Sequence, residues 1–268
     1  MRTPRPVFDA NPSSGGLGDL PEWNLSDLYA APDAPELARD MGWLEKACAD
    51  FARDYEGKLA ALDAPGMLEC VHRYEAIERT AGRIMSYAGL RYYQNTVDAV
   101  RAKFMSDCQD KVTELTTPLV FFSLEFNRID DATYDRVFTA GTALDRYKPV
   151  FDRMRAMKPH QLSDELEKFL HDQSTVGASA WNKLFDETMA GLTFTVEGEA
   201  EPLNLEATLN LLTDADRARR EAAARALAAV FDKNIKLFAR IHNTLAKEKE
   251  IEDRWRKMPT PQTGRHLS

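Results

Sequence analysis

Met189-Ala190-Gly191-Leu192-Thr193-Phe194-Thr195-Val196-Glu197-Gly198-Glu199-Ala200-Glu201-Pro202-Leu203-Asn204-Leu205 is the one place where this chain leaves helical periodicity for strand alternation. Leu192, Phe194 and Val196 alternate with Thr193, Thr195 and Glu197, a period of two in β-forming residues. The pattern predicts a short β-hairpin near residues 192–204, with Glu197-Gly198-Glu199 as its turn and Glu201-Pro202-Leu203-Asn204 returning. A two-stranded hairpin is marginal alone, so it must lie on helices. Three are expected after it. A short one covers residues 206–211 or 212. The Thr213-Asp214-Ala215-Asp216 cap cluster opens a second over 217–231. A third, over 235–255, has Leu237, Phe238, Ile241, Leu245 and Ile251 as its apolar positions. Asp232-Lys233-Asn234 between the last two is either a break or polar helix face.

Everything upstream reads as helix. Asp33-Ala34-Pro35-Glu36 is a start signal, with Asp33 or Ala34 at the cap and Pro35 in the first turn. Leu37, Met41, Leu44, Ala47 or Cys48, Phe51, Tyr55 and Leu59 then recur every three to four residues. Asp63-Ala64-Pro65-Gly66 restarts the pattern for a second long helix that fades near Asn95. A third begins at Thr96 or Asp98, and Pro118 late in it predicts a kink or restart. Phe121-Phe122-Ser123-Leu124-Glu125-Phe126-Asn127 is aromatic enough to be core. Asp130-Asp131-Ala132-Thr133 caps a short helix to about Ala140, another covers 144–157, and Ser163 caps one running to His171. A last one occupies 178–189. The fold class expected is mainly α: a multi-helix bundle with one short β-hairpin. Residues 1–20, rich in Pro, Gly and Ser, read as a flexible tail.

Composition excludes several functions. Hydrophobic content of 44% and charged content of 29% belong to a globular protein with ample core. A net charge of −8, with bases and acids interleaved, argues against a nucleic-acid surface. No apolar run reaches membrane-spanning length, and the N-terminus has no apolar signal core. Cys48, Cys70 and Cys108 form no CxxC pair and are expected as reduced buried thiols, which suits a cytoplasmic location.

The five histidines decide most of the catalytic question. His72, His160, His171, His242 and His266 are followed by Arg, Gln, Asp, Asn and Leu, and none has a second histidine at the fourth position. No helix therefore presents the two imidazoles of a zinc motif. His242 on an apolar-periodic helix reads as a core or boundary residue. Cys70 and His72 point apart on a helix at that spacing. No phosphate-binding glycine loop and no G-x-S-x-G elbow is present. The mixed-charge run from Lys247 to Lys257 reads first as a laced, solvated face. Its functional reading is a cleft or partner surface, where Arg254, Trp255 and Arg256 stack and pair.

At this point the residues resemble a family. Pro21-Glu22-Trp23-Asn24-Leu25-Ser26-Asp27-Leu28-Tyr29 resembles the opening of the oligoendopeptidase F-type peptidases. So do Tyr147 with Arg155, Lys158-Pro159-His160-Gln161-Leu162-Ser163, Leu192-Thr193-Phe194-Thr195-Val196, and Asp216-Arg217-Ala218-Arg219-Arg220-Glu221-Ala222. The order and spacing of these motifs, from about Leu20 onward, make the match specific. The resemblance implies a cytoplasmic, helical zinc metallopeptidase of the M3 (thimet oligopeptidase) family that hydrolyses short peptides inside a cavity. Its zinc would be held by HExxH and a later glutamate. This chain has no HExxH, so no catalytic, cofactor-binding or metal residue carries over. It is expected to be the N-terminal portion: a tail over 1–20, a helical domain over 21–190, and an incomplete catalytic domain over 191–268. Alone it is expected to be inactive, with the missing C-terminal half as partner and zinc a cofactor of the complete enzyme only. The alternative is a non-catalytic helical scaffold or interaction module. A weaker option is a metal-dependent enzyme with an unfamiliar site.

Overall fold

A computed structural model describes residues 23–139 and 141–267, among which eleven α-helices follow one another. The tail expected over residues 1–20 lies outside them. α1 (Pro35–Tyr55), α2 (Ala64–Tyr93) and α3 (Ala99–Thr116) form an up-and-down bundle. The register of the charged pairs shows the direction of α2 against α1: Arg73 meets Asp54 and Arg83 meets Asp40. Local chemistry sets the starts. Asp63 accepts from Gly66 N at 2.9 Å, and Asp98 accepts from Val100 N at 2.8 Å and Arg101 N at 3.2 Å. A side-chain cap of this kind stabilises a helix by about 1 kcal/mol. α1 starts at Pro35 behind Ala34, with no side-chain cap.

Pro118 ends α3 as expected, through a 3₁₀ turn (Thr117–Val120) that hands over to α4 (Phe121–Arg128). The aromatic stretch there is the centre of the main core. Phe51 lies 5.8 Å from both Phe121 and Phe122; Phe122 stacks on Tyr74 at 4.3 Å and Phe126 on Phe151 at 4.2 Å. Fully burying each phenylalanine contributes roughly 2–3 kcal/mol. α5 (Asp131–Val137), capped by Asp130, and α6 (Lys148–Ala156) close this core with Tyr134, Phe138 and Phe151.

α7 (Asp164–Gln173), α8 (Ala178–Gly191), α9 (Leu205–Leu211), α10 (Arg217–Trp255) and α11 (Thr263–Leu267) complete the chain. Ser163 holds the cap position of α7, but its side chain bonds nothing there. Glu167 instead reaches back to Leu162 N at 2.9 Å.

Two expectations are corrected. The hairpin is reduced to one antiparallel bridge, in which Phe194 and Leu203 exchange hydrogen bonds of 2.8 and 2.9 Å. Pro202 has no N–H to extend a ladder, and Asn204 already caps α9 through Ala207 N, so the returning segment ends after one pair. The alternation was nevertheless correct about burial, since Phe194 and Val196 are buried in a second, smaller core with Ala223 and Leu227. The second correction is that the two helices expected after residue 216 are one. Asn234 Nδ2 bonds back to Val230 O within an unbroken α10, so residues 232–234 are polar face.

Candidate functional site

α10 owes its length to two different halves. Its start is locked by Asp216, which accepts from Ala218 N at 2.8 Å, and by Arg219, which pairs with Asp214 at 2.7 Å and Glu199 at 2.6 Å. The alanine-rich first half packs on the second core. The second half is held by pairs one turn apart, Lys249–Asp253, Arg254–Glu250 and Arg256–Glu252. Of its expected apolar positions only Ile241 is buried; Ile251 is 40% exposed and Trp255 57%. His242, expected at a core or boundary position, is exposed. A helix that leaves its apolar side open borders a cleft or a partner.

The cleft is there. α8 runs antiparallel to α10, with Ala178 N donating to Glu248 Oε1 at 3.1 Å and Phe185 5.9 Å from Phe238. The helices cross closely here: a Cβ on Gly177 would stand 2.6 Å from Glu248 Oε1, so a larger residue would oblige the Glu248 carboxylate to shift. α7 approaches the far end of α10. Between the three helices lies a groove of about 780 Å³, walled by Leu166, Phe169, Trp181, Ile251 and Trp255, with Arg240, Asn243 and Thr244 toward the α8 end. A second cavity, of about 770 Å³, opens on the other side of Leu170, Glu248 and Glu252, against Tyr74 and Ser123.

One clasp fixes this geometry. The Arg256 guanidinium grips Glu167 with two bonds of 2.6 and 2.9 Å, and its Nε donates to Glu252 at 2.6 Å. His160 Nδ1 lies 2.9 Å from Arg256 O at the end of α10. Burial pushes the Glu167 carboxyl up, but the Arg256 guanidinium and Leu162 N–H outweigh it, and the net shift is downward. The Glu167 bonds raise Arg256 against the cost of burial. Sequence reading offered Arg256, with Arg254 and Trp255, for a cleft or partner surface, and did not pair it with Glu167. The signal that could have found them was Lys158-Pro159-His160-Gln161-Leu162-Ser163, which the structure shows to be a joint. Its Gln161 accepts from Asn127 Nδ2 and donates to Leu124 O, tying α4 to the turn before α7. Tyr147 and Arg155 are likewise framework. Tyr147 donates to Glu75 at 2.9 Å, and Arg155 donates to Phe126 O and Ile129 O.

Zinc is the metal the resemblance implies, and the donors here do not fit it. Among the described residues no three His, Cys, Asp or Glu side chains come together as a metal-holding group. His171 Nε2 lies 3.2 Å from Thr116 Oγ1, and His72 packs edge-on against Tyr147. Burial holds all three cysteines as thiols, Cys48 and Cys108 pushed up to about 11 and Cys70 to about 12. Cys70 is therefore no nucleophile for His72 to activate. No helix of the described residues is long and apolar enough to cross a membrane.

A family model described as Oligopeptidase F matches residues 125–194, the segment from α4 to the bridge. The group B oligopeptidase PepB of Streptococcus agalactiae serotype III (strain NEM316) is 22% identical over 238 residues, which are 87% of this chain and 39% of the relative. Oligopeptidase PepF of Bacillus subtilis (strain 168) is 21% identical over 228 residues, 84% of this chain and 32% of PepF. The crystal structure of oligoendopeptidase-F from Enterococcus faecium superposes with a TM-score of 0.75 at 20% identity, covering 86% of this chain and 46% of that one. The chain thus spans less than half the length of the curated relatives it matches. In sequence and in fold it resembles the N-terminal portion of the oligoendopeptidase F-like peptidases of the M3 family.

Proposed function

We propose that this chain is the N-terminal portion of an oligoendopeptidase F-like peptidase, and that its groove between α7, α8 and α10 forms part of the wall around a short peptide. The observation that carries the reading is that groove: a 780 Å³ space whose aromatic lining stays open to solvent on the face of a fold shared with oligoendopeptidase-F. Concave, mostly apolar spaces with a few polar groups are where small ligands bind. Residues 21–190 act as a helical domain and residues 191–268 as the beginning of a catalytic one, a division supported by the two separate apolar cores. The metal-binding motif belongs to a part of the enzyme outside this sequence, which lacks HExxH. The chain alone is inactive, and the complete enzyme, in the cytoplasm, hydrolyses short peptides with zinc.

A stand-alone scaffold is disfavoured by the same exposed Phe169, Ile251 and Trp255, since a finished surface rarely leaves such residues open together. The test is a peptidase assay on the 268-residue chain with internally quenched peptides, with and without zinc. No turnover is expected in either case. Zinc-dependent turnover abolished by a chelator would overturn the reading. An apolar-sensitive dye should bind wild-type protein and lose most of its signal in Trp255→Ala; a protein that binds no dye supports the scaffold instead.

A further inference from the structure

The charged side chains along the groove are not equivalent. Glu248 is occupied by Ala178 N, Glu252 by Arg256 and Lys247 by Glu250. Arg240 has no hydrogen-bonding or ion-pairing partner among the described residues. It shares one face of α10 with Asn243 and Thr244, three and four residues on, so a guanidinium, a carboxamide and a hydroxyl line the same end of the groove. Trp181 belongs to that end too, since it lies on α8 between Ala178, which meets Glu248, and Phe185, which meets Phe238. The opposite end, by the Arg256–Glu167 clasp, is apolar, with Phe169, Ile251 and Trp255. Arg240 and Trp255 stand about four turns apart, roughly 22 Å. That is the length of about seven residues of extended chain.

Resting on the reading of this groove as a peptide wall, we propose that it binds an extended oligopeptide by its free C-terminus. The terminal carboxylate pairs with Arg240, while Asn243 Nδ2 and the Thr244 hydroxyl donate to the last peptide groups. Apolar side chains lie on Trp181 at that end and on Phe169, Ile251 and Trp255 further along. A guanidinium suits this role because it is weakly hydrated and binds a planar carboxylate with two parallel bonds. A multiply charged anion such as phosphate fits worse, because the only other base lining the groove, Lys247, already pairs with Glu250, and Glu248 and Glu252 add negative charge to the same walls.

The experiment is a tryptophan-fluorescence titration of the full chain with the heptapeptide Gly-Ala-Leu-Phe-Ala-Leu-Phe as free acid and as C-terminal amide. The free acid is expected to bind saturably and about tenfold more tightly than the amide, a difference of about 1.4 kcal/mol. Arg240→Gln, a change at an exposed position, is expected to bring both peptides to the amide's affinity. Trp181→Ala should weaken both while keeping their ratio. Equal affinity of wild type for acid and amide overturns the carboxylate anchor and leaves the peptide wall standing. No saturable binding of either peptide overturns the anchor and the peptide wall together. A dimer seen by sedimentation and abolished by Trp255→Ala makes a second copy the occupant, which also overturns the proposal.

Discussion

At the scale of single residues, Glu167 and Arg256 matter most. Their side chains are 14% and 13% exposed, so removing one leaves a largely buried charge without its partner. Glu167→Ala is expected to cost about 2–3 kcal/mol, read by urea denaturation, with Arg256→Ala similar and the double variant little worse than either. Because the folded-state pKa of Glu167 is lowered, the pairing stabilises the fold above the ordinary glutamate range and is lost as pH falls through the folded value. Stability of wild type should therefore drop more steeply on acidification than that of Glu167→Gln; parallel curves would show that the clasp does not couple to pH. The cysteines make the opposite case. Their pKa values are raised to about 11–12 by burial, so at neutral pH they are protonated and enclosed. A thiol-reactive dye should label native protein slowly and all three sites rapidly in denaturant. Burial of the cysteines was expected from their number and spacing, which offer no CxxC pair. The Glu167–Arg256 pair was not, because its members lie 89 residues apart.

At the scale of elements, what was legible is what short-range chemistry decides. Asp63, Asp98, Asp130, Asn204 and Asp216 each cap a helix that begins close to where the sequence places one, by a bond to an amide two or three residues on. Asp216→Ala is expected to destabilise by about 1 kcal/mol and to fray the start of α10 in helix-sensitive circular dichroism. An unchanged melting curve would mean that Arg219 and Arg220 hold the turn without it. The bridge shows where short-range reading ends. Period-two alternation placed Phe194 and Val196 inside, correctly, yet alternation says nothing about whether the returning segment has amides to pair. The Asp232-Lys233-Asn234 stretch was undecided for a related reason. A polar triplet fits a loop or a solvated helix face equally, and only the packing on both sides of it chooses.

At the scale of the whole molecule, the two cores are the organising fact. The larger joins α1 to α6, and the smaller joins the bridge to the first half of α10. If each is its own cooperative unit, Phe194→Ala, at a fully buried position, should cost about 3–5 kcal/mol within the smaller one. Amide hydrogen exchange should then quicken over residues 192–231 while α1, α2 and α3 keep their protection. A uniform loss of protection across the chain would reject the division. The groove belongs to this scale as well. It requires α7, α8 and α10 together, and no single segment displays it.

By itself the sequence determined the helical class, most helix starts, the identity of the aromatic core, the absence of HExxH and the family resemblance. These depend on residue type and on neighbours a turn away. The tertiary structure decided that the hairpin is one bridge, that α10 is continuous, that Arg256 holds Glu167, and that Arg240 has no partner among the described residues at one end of a groove whose other end carries exposed aromatics. Each of these depends on groups far apart in the chain, whose pairing is chosen by packing and by the cost of burying an unsatisfied polar group.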